Sequence, residues 1–103
     1  MRDVTLLRPV TLGSLPGGRY VLGFPDGSGI VTERRGINVL AAHLALMEGV
    51  GSALGTVRSL EGRMVVSCVA GRVHLWTGKT RRAILSMAQA RALGAQLLAA
   101  SGR

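Results

Sequence analysis

Glycine interrupts this chain so often that most strands must be short. The sequence has 15 glycines in 103 residues, and glycine is the residue that most readily adopts the positive φ of tight turns. Short strands joined by tight turns are typical of antiparallel sheets. Because the chain is long enough for one hydrophobic core and too short for two, we expect a single compact domain over residues 1–103.

Apolar runs rich in β-branched residues alternate with these turn signals and predict about five to seven short strands. Pro9 has no N–H to donate, which confines the first run to an edge or a bend. The fifth run, 63–69, barely alternates between apolar and polar residues, so we expect a central strand covered on both faces. The predicted strands are residues 4–12, 20–24, 30–33, 56–60, 63–69, 72–77 and 81–85.

Two further segments favour helices. Asn38 is a good N-cap for the run of helix formers that follows it. Ser86 and Gln89 have the spacing of a capping box, in which each side chain accepts from the other residue's backbone N–H. Strands followed by a helix therefore occur twice, over 19–48 and 63–100. The prediction is an α+β fold, a small antiparallel sheet with two helices in loosely duplicated ββα units.

The first predicted helix is apolar around most of its circumference. Such a helix needs cover on more than one side. In a chain this small, the second cover is either the other helix or another subunit, which makes a homodimer possible. The residues predicted to form an oligomer interface are Val39, His43, Leu46 and Met47.

The charge balance favours an anionic partner. Lysine and arginine number 13 against 5 acidic residues, which gives a net charge of +8 and a pI near 11.7. All the basic residues except Lys79 are arginines, and arginine suits planar, bidentate contacts to phosphate or carboxylate. A GC-rich genome, which writes arginine codons in place of lysine, would give the same bias.

The sequence contains no motif for catalysis, a metal or a cofactor. Residues 78–80 resemble the end of a phosphate-binding loop, but Val73 stands where that loop requires its first glycine. Cys68 lies within an apolar run, and nothing near it in sequence would activate a thiolate. Neither histidine has a partner at the spacing of a zinc site. We therefore expect no enzymatic activity, no metal and no cofactor.

The sixth predicted strand carries the most informative cluster. Side chains alternate across a strand, so Arg72, His74 and Trp76 share one face, and Lys79 and Arg81 lie just beyond the next turn. Cations beside an aromatic ring on a sheet are typical of single-stranded nucleic-acid binding. A half-buried tryptophan covering a small core beside solvated cations is the alternative. The last four of the candidate binding residues form two adjacent basic pairs, each at the end of a predicted strand, where we expect the two side chains to project together. The candidates are Arg72, His74, Trp76, Lys79, Arg81, Arg82, Arg34 and Arg35.

We therefore predict a non-catalytic protein that engages nucleic acid or a nucleoprotein through an arginine-rich sheet face. The alternative is a protein-binding module, such as an inhibitor of the kind that phages and mobile elements encode, whose basic residues meet an acidic protein surface. No membrane partner is expected, because the longest apolar stretch is about half the length that a bilayer requires. The start of the sequence lacks the apolar segment of a signal peptide, so a cytoplasmic location is expected.

Overall fold

The computed structural model describes residues 7–50 and 56–102, with the backbone alone for 48–50. Over these residues the chain forms seven strands and two helices, which confirms the predicted α+β class. The strands are β1 (Thr11–Leu15), β2 (Arg19–Gly23), β3 (Gly29–Glu33), β4 (Thr56–Ser59), β5 (Met64–Val69), β6 (Arg72–Thr77) and β7 (Thr80–Ser86). The helices are α1 (Arg34–Val50) and α2 (Met87–Ala100).

The seven strands form two antiparallel sheets, where a single sheet was expected. One sheet has the order β1-β2-β3 and the other β4-β5-β6-β7, so chain neighbours are also sheet neighbours. Each sheet leads directly into a helix: β3 ends at Glu33 where α1 begins at Arg34, and β7 ends at Ser86 where α2 begins at Met87. Strands followed by a helix therefore occur twice in the chain, in agreement with the predicted duplication. Along the chain, α1 lies between the last strand of the first sheet and the first strand of the second.

The predicted strand over residues 4–12 is wrong in its placement. β1 begins only at Thr11 and continues to Leu15, and residues 4–6 lie outside the part of the chain that the structure describes. Since Pro9 has no N–H for the ladder, strand pairing begins after it. A tight turn connects β1 with β2, since Leu15, the last residue of β1, pairs with Arg19, the first residue of β2.

Helix α1 begins at Arg34, five residues before the predicted first helical residue, Val39. The N-cap predicted at Asn38 is wrong, because Asn38 lies one turn inside the helix. The earlier start brings Ile37 into the helical phase of Leu40 and Leu44, and all three side chains are buried in the core. Burial of this apolar face outweighs the local preference of Asn38 for a cap.

Gly36 allows the first turn of α1 to pack directly on β3. A Cβ atom at Gly36 would collide with Oγ1 of Thr32 and would lie 3.1 Å from Cδ2 of Leu60. Only glycine lacks that atom, so the helix approaches both neighbours closely. This contact positions the start of α1 beside the turn between β4 and β5.

One hydrophobic core joins both sheets and both helices. From the second sheet, Met64 and Val66 on β5 and Leu75 on β6 point into it and are fully buried. The central position of β5 is confirmed. The expectation that both its faces are covered holds in part, because on the other face Ser67 is 8% exposed whereas Val69 is 54% exposed. The β4–β7 sheet therefore has one face against the core, and its other face is only partly exposed, with Ser67 and Ile84 buried on it.

The capping box predicted for α2 is confirmed. The backbone N–H of Gln89 donates to Oγ of Ser86 at 3.1 Å, and the backbone N–H of Ser86 donates to Oε1 of Gln89 at 2.9 Å. At the other end of α2, the hydroxyl of Tyr20 donates to the carbonyl of Ala100 at 2.9 Å and connects the helix to β2. Within residues 7–50 and 56–102, no helix is both long and apolar enough to cross a membrane.

Candidate nucleic-acid interface

The strand register determines which side chains share the side of the β4–β7 sheet that faces away from the core. Arg58 pairs with Val65, Val65 with Trp76, and Trp76 with Arg81. Residues paired across antiparallel strands project to the same side, so these four side chains form a row across the sheet. We call this side the outer face, and its residues are Thr56, Arg58, Val65, Ser67, Val69, Arg72, His74, Trp76, Arg81, Ile84 and Ser86.

Three of the predicted binding residues contact one another on the outer face. The guanidinium carbon of Arg81 lies 5.8 Å from the centroid of the Trp76 ring, near the upper limit of about 6 Å for a cation–π contact. Nη1 of Arg81 lies 3.5 Å from Nδ1 of His74. All three side chains are half-buried. The indole is therefore held by its neighbours and keeps part of its surface toward solvent.

Arg72 and Lys79 complete the predicted cluster at its margins. Arg72 is exposed at the start of β6, and Lys79 is exposed in the turn that connects β6 with β7. Val69, which pairs with Arg72, adds an exposed apolar side chain to the same face. The outer face therefore combines cations with apolar and aromatic surface.

A β-bulge separates Arg81 from Arg82, which were expected to project together. Trp76 pairs with Arg81, whereas Leu75 pairs with Ala83. Arg82 is therefore the extra residue, with no partner on β6. The bulge keeps Arg81 on the outer face and directs Arg82 elsewhere.

Arg82 connects the two sheets. Its Nε donates to Oγ1 of Thr77 at 2.7 Å, and its Nη1 donates to Oδ2 of Asp26 at 2.8 Å. Asp26 lies in the turn between β2 and β3, where Oδ1 accepts from the hydroxyl of Ser28 at 2.5 Å and from its backbone N–H at 2.9 Å. The hydrogen bonds from Ser28, followed by that from Arg82, lower the pKa of Asp26 from 3.8 to about 2. Arg82 therefore lies apart from the outer face, and its part in binding stays a prediction.

We expect the carboxyl group of Asp26 to titrate with a midpoint of about 2. Because its pKa is lowered in the folded state, the ionised carboxylate stabilises the fold above pH 3.8, and this contribution is lost as the pH falls toward 2. An NMR titration of the side-chain carboxyl carbon measures the midpoint. Ser28→Ala removes the largest cause and should raise the midpoint; a variant that titrates like the parent would contradict this assignment.

Arg34 and Arg35 do not end a strand, as was expected, but begin α1. Nη2 of Arg34 lies near the C-terminal end of α2, only 3.0 Å from the place that a Cβ at Gly102 would occupy. Arg35 lines a separate cavity together with residues of β2 and β3. Neither arginine belongs to the outer face, so the structure does not bring them together with the other candidate residues, and their part in binding stays a prediction.

The predicted oligomer interface on α1 divides into exposed and buried positions. Val39 is 39% exposed and Leu46 is 46% exposed, and His43 is half-buried. Met47 is fully buried in the core, so its assignment to an interface is wrong. Its position in the helical turn places it on the same side as Leu44, toward the core. Self-association through the other three residues stays a prediction.

Sequence reasoning missed Arg58 and the distribution of acidic residues. Arg58 is exposed in the same row as Trp76 and Arg81. Alternation along β4 would have assigned it to a face, but only the register shows that this face is the one with the tryptophan. Glu61 is the last acidic residue in the sequence, and β4 to β7 contain none. The outer face therefore carries positive charge with no carboxylate to offset it.

The residues with metal-binding or nucleophilic side chains do not converge. Cys68 is buried on the inner side of β5, and His74 lies on the outer face of the neighbouring strand. Among the described residues, no group of three or more histidine, cysteine or acidic side chains could hold a metal ion.

No family model, curated protein or solved structure matches this chain. The function is therefore inferred from the surface chemistry of the molecule itself.

Proposed function

We propose that this protein binds single-stranded nucleic acid, free or within a nucleoprotein, on the outer face of the β4–β7 sheet. The observation that carries the proposal is the row of Arg58, Trp76 and Arg81, in which a half-buried ring lies between two cationic side chains on strands without acidic residues. Arginine binds phosphate, and an indole stacks on any base. Both parts of a nucleotide are thereby recognised without a catalytic group.

The width of the sheet favours a single strand over a duplex. Strands lie about 4.8 Å apart, so four strands span about 14 Å before side chains are added. The major groove of DNA is about 12 Å wide and admits a helix or a two-stranded ribbon. A four-stranded face is too wide to enter it. A single strand can instead lie across the sheet with its bases toward the protein.

Electrostatic attraction supplies most of the affinity in this mechanism. The whole sequence has one tryptophan, one tyrosine and one phenylalanine, and only Trp76 is on the outer face, so one base stacks while several phosphates are neutralised. Each phosphate contact releases counterions, which makes affinity fall with salt. With Arg58, Arg72, Lys79 and Arg81 all engaged, the log–log slope for a single strand is about −3.

The test is a titration with oligothymidylate and with its duplex over a range of salt concentrations. Trp76 is the only tryptophan, so its fluorescence reports stacking directly. We expect quenching by the single strand, weaker binding to the duplex and the slope of about −3. Affinity that does not respond to salt, or fluorescence that does not respond to the single strand, would contradict the proposal and favour an acidic protein surface as the partner.

Two variants with the same change of charge separate a local site from general attraction. Arg72→Gln should flatten the slope by about 0.7, because one phosphate contact is lost. Arg91→Gln removes an exposed charge from α2, on the other side of the sheet, and should leave the slope unchanged. Equal effects of the two changes would mean that only net charge matters.

A further inference from the structure

A second basic cluster uses none of the outer-face residues. It surrounds a cavity of about 380 Å³ where β3, α1 and the turn between β4 and β5 meet. Three arginines from separate segments line it: Arg19 on β2, Arg35 in the first turn of α1 and Arg63 just before β5. Glu33 and Glu61 line the same cavity. Its volume lies within the range of about 300–1,000 Å³ that is usual for small-molecule sites.

The side chain of Arg63 is held by two backbone carbonyls, one on β3 and one in the turn between β4 and β5. Its Nη1 donates to the carbonyl of Val31 on β3 at 2.8 Å, and its Nε donates to the carbonyl of Leu60 at 3.1 Å. A guanidinium has more N–H groups than these two contacts use. Its remaining donors are therefore held in a defined plane, so an anion can bind them at little further cost in side-chain entropy.

The close packing of α1 on β3 brings Arg35 to the same cavity. Gly36, the next residue, has no room for a Cβ atom against Thr32. Thr32 is only 6% exposed and also lines the cavity. One side of the cavity is therefore formed by closely packed residues of α1, β3 and the turn between β4 and β5.

The acidic and basic residues around the cavity are neighbours in the fold, but their side chains form no ion pairs with each other. Arg19 and Glu33 are cross-strand partners. Even so, within residues 7–50 and 56–102 no ion pair connects the three arginines with Glu33 or Glu61. Both kinds of charge thus remain available to a ligand that carries an anionic group and hydrogen-bond donors.

We propose that this cavity binds a small organic phosphate monoester that also carries hydroxyl groups. The arginines neutralise the phosphate, to which they can donate in bidentate geometry. The two glutamates accept hydrogen bonds from the hydroxyl groups and reject ligands that present a second anionic group at that end. The site goes beyond the proposed nucleic-acid interface, because it shares no residue with it.

The test compares ribose phosphate, inorganic phosphate and ribose in NMR titrations of the isotope-labelled protein. We expect ribose phosphate to shift the amides of Gly36 and Gly62 and to bind about tenfold more tightly than inorganic phosphate. Ribose should cause no shifts. Equal affinities for the two phosphates, or no shift with ribose phosphate, would overturn the proposal.

Charge variants identify the residues that bind. Arg35→Gln and Arg63→Gln should each weaken ribose phosphate by about tenfold, and Arg35, which is exposed, provides the test if the change at Arg63 disturbs the turn. Glu61→Gln should strengthen the binding of inorganic phosphate and reduce the ratio by which ribose phosphate binds more tightly. Arg72→Gln, on the outer face, should change neither, so this result is independent of oligonucleotide binding. Unchanged binding in both arginine variants of the cavity would overturn the proposal.

Discussion

Replacing Leu60 by alanine is expected to lower the free energy of unfolding by about 2–5 kcal/mol, the range for a leucine truncated to alanine in a packed core. Leu60 is 1% exposed and belongs to the core that joins both sheets and both helices. Its Cδ2 atom lies close to Gly36 at the start of α1. The change therefore leaves a cavity where the first turn of the helix meets the turn between β4 and β5. Urea unfolding followed by circular dichroism measures the loss.

The backbone at Leu60 adopts an unfavourable conformation that burial of the side chain must offset. Leu60 has φ +52° and Glu61 has φ +59°, and this left-handed conformation costs non-glycine residues about 1–2 kcal/mol each. The buried side chain at Leu60 offsets that cost. Leu46→Ala is the matched control, since Leu46 is 46% exposed on α1, and it should cost less than about 1 kcal/mol. Equal losses in the two variants would show that Leu60 does not anchor the turn.

The same turn determines where Arg63 lies. The backbone N–H of Arg63 donates to the carbonyl of Leu60 at 3.2 Å, and that of Gly62 donates to the carbonyl of Ser59 at 3.1 Å. Leu60 therefore connects the core with the cavity that Arg63 and Arg35 line. Loss of the leucine should loosen the phosphate site as well as the fold.

Local turn and cap chemistry predicted much of this fold. The turn at 70–71 is followed by β6 as expected, with Ala70 at φ +53° and Gly71 at φ +76°, so a two-residue turn sets the register of β5 and β6. The side-chain oxygen of Ser86 could be assigned to a cap because its partner is three residues away. Such signals span a few residues and need no knowledge of the rest of the chain.

The bulge in β7 was beyond sequence analysis because two local signals disagree by one residue. The short turn after Thr77 places Trp76 opposite Arg81, whereas the need to bury Ala83 places it opposite Leu75. One residue must leave the ladder to satisfy both, and it is Arg82. The ion pair of Arg82 with a turn of the other sheet is a long-range contact, so the sequence pattern gave no sign of it.

Long-range packing also explains the misplaced start of α1 and the two groups of arginines that the sequence did not reveal. The start of α1 depends on the fit of Gly36 against Thr32, which the local preference of Asn38 for a cap does not reveal. The cavity arginines come from three segments that meet only in the folded chain. The place of Arg58 on the outer face was missed for a similar reason, because only the pairing of β4 with β5 shows which side chains lie beside it.

Replacing Trp76 by alanine is expected to weaken oligothymidylate binding by about 5- to 150-fold, the effect of about 1–3 kcal/mol that a stacked base loses when its aromatic partner is removed. The salt slope should stay unchanged, because the indole neutralises no phosphate. Arg58→Gln should do the opposite: it should flatten the slope by about 0.7, so that its loss of affinity is largest at low salt. Fluorescence anisotropy of a labelled oligonucleotide measures both variants, since the alanine variant has no tryptophan signal of its own.

Trp76→Phe distinguishes stacking from simple loss of surface. Phenylalanine keeps a ring that can stack on a base and accept the cation of Arg81, so most of the affinity should return. The fold should persist in each variant, because Trp76 is half-buried on the outer face while the adjacent Leu75 stays in the core. Two results would show that Trp76 only packs against Arg81 and His74 and does not contact a base. One is that the Trp76→Phe variant binds no more tightly than the Trp76→Ala variant, and the other is that Trp76→Ala changes only the salt slope.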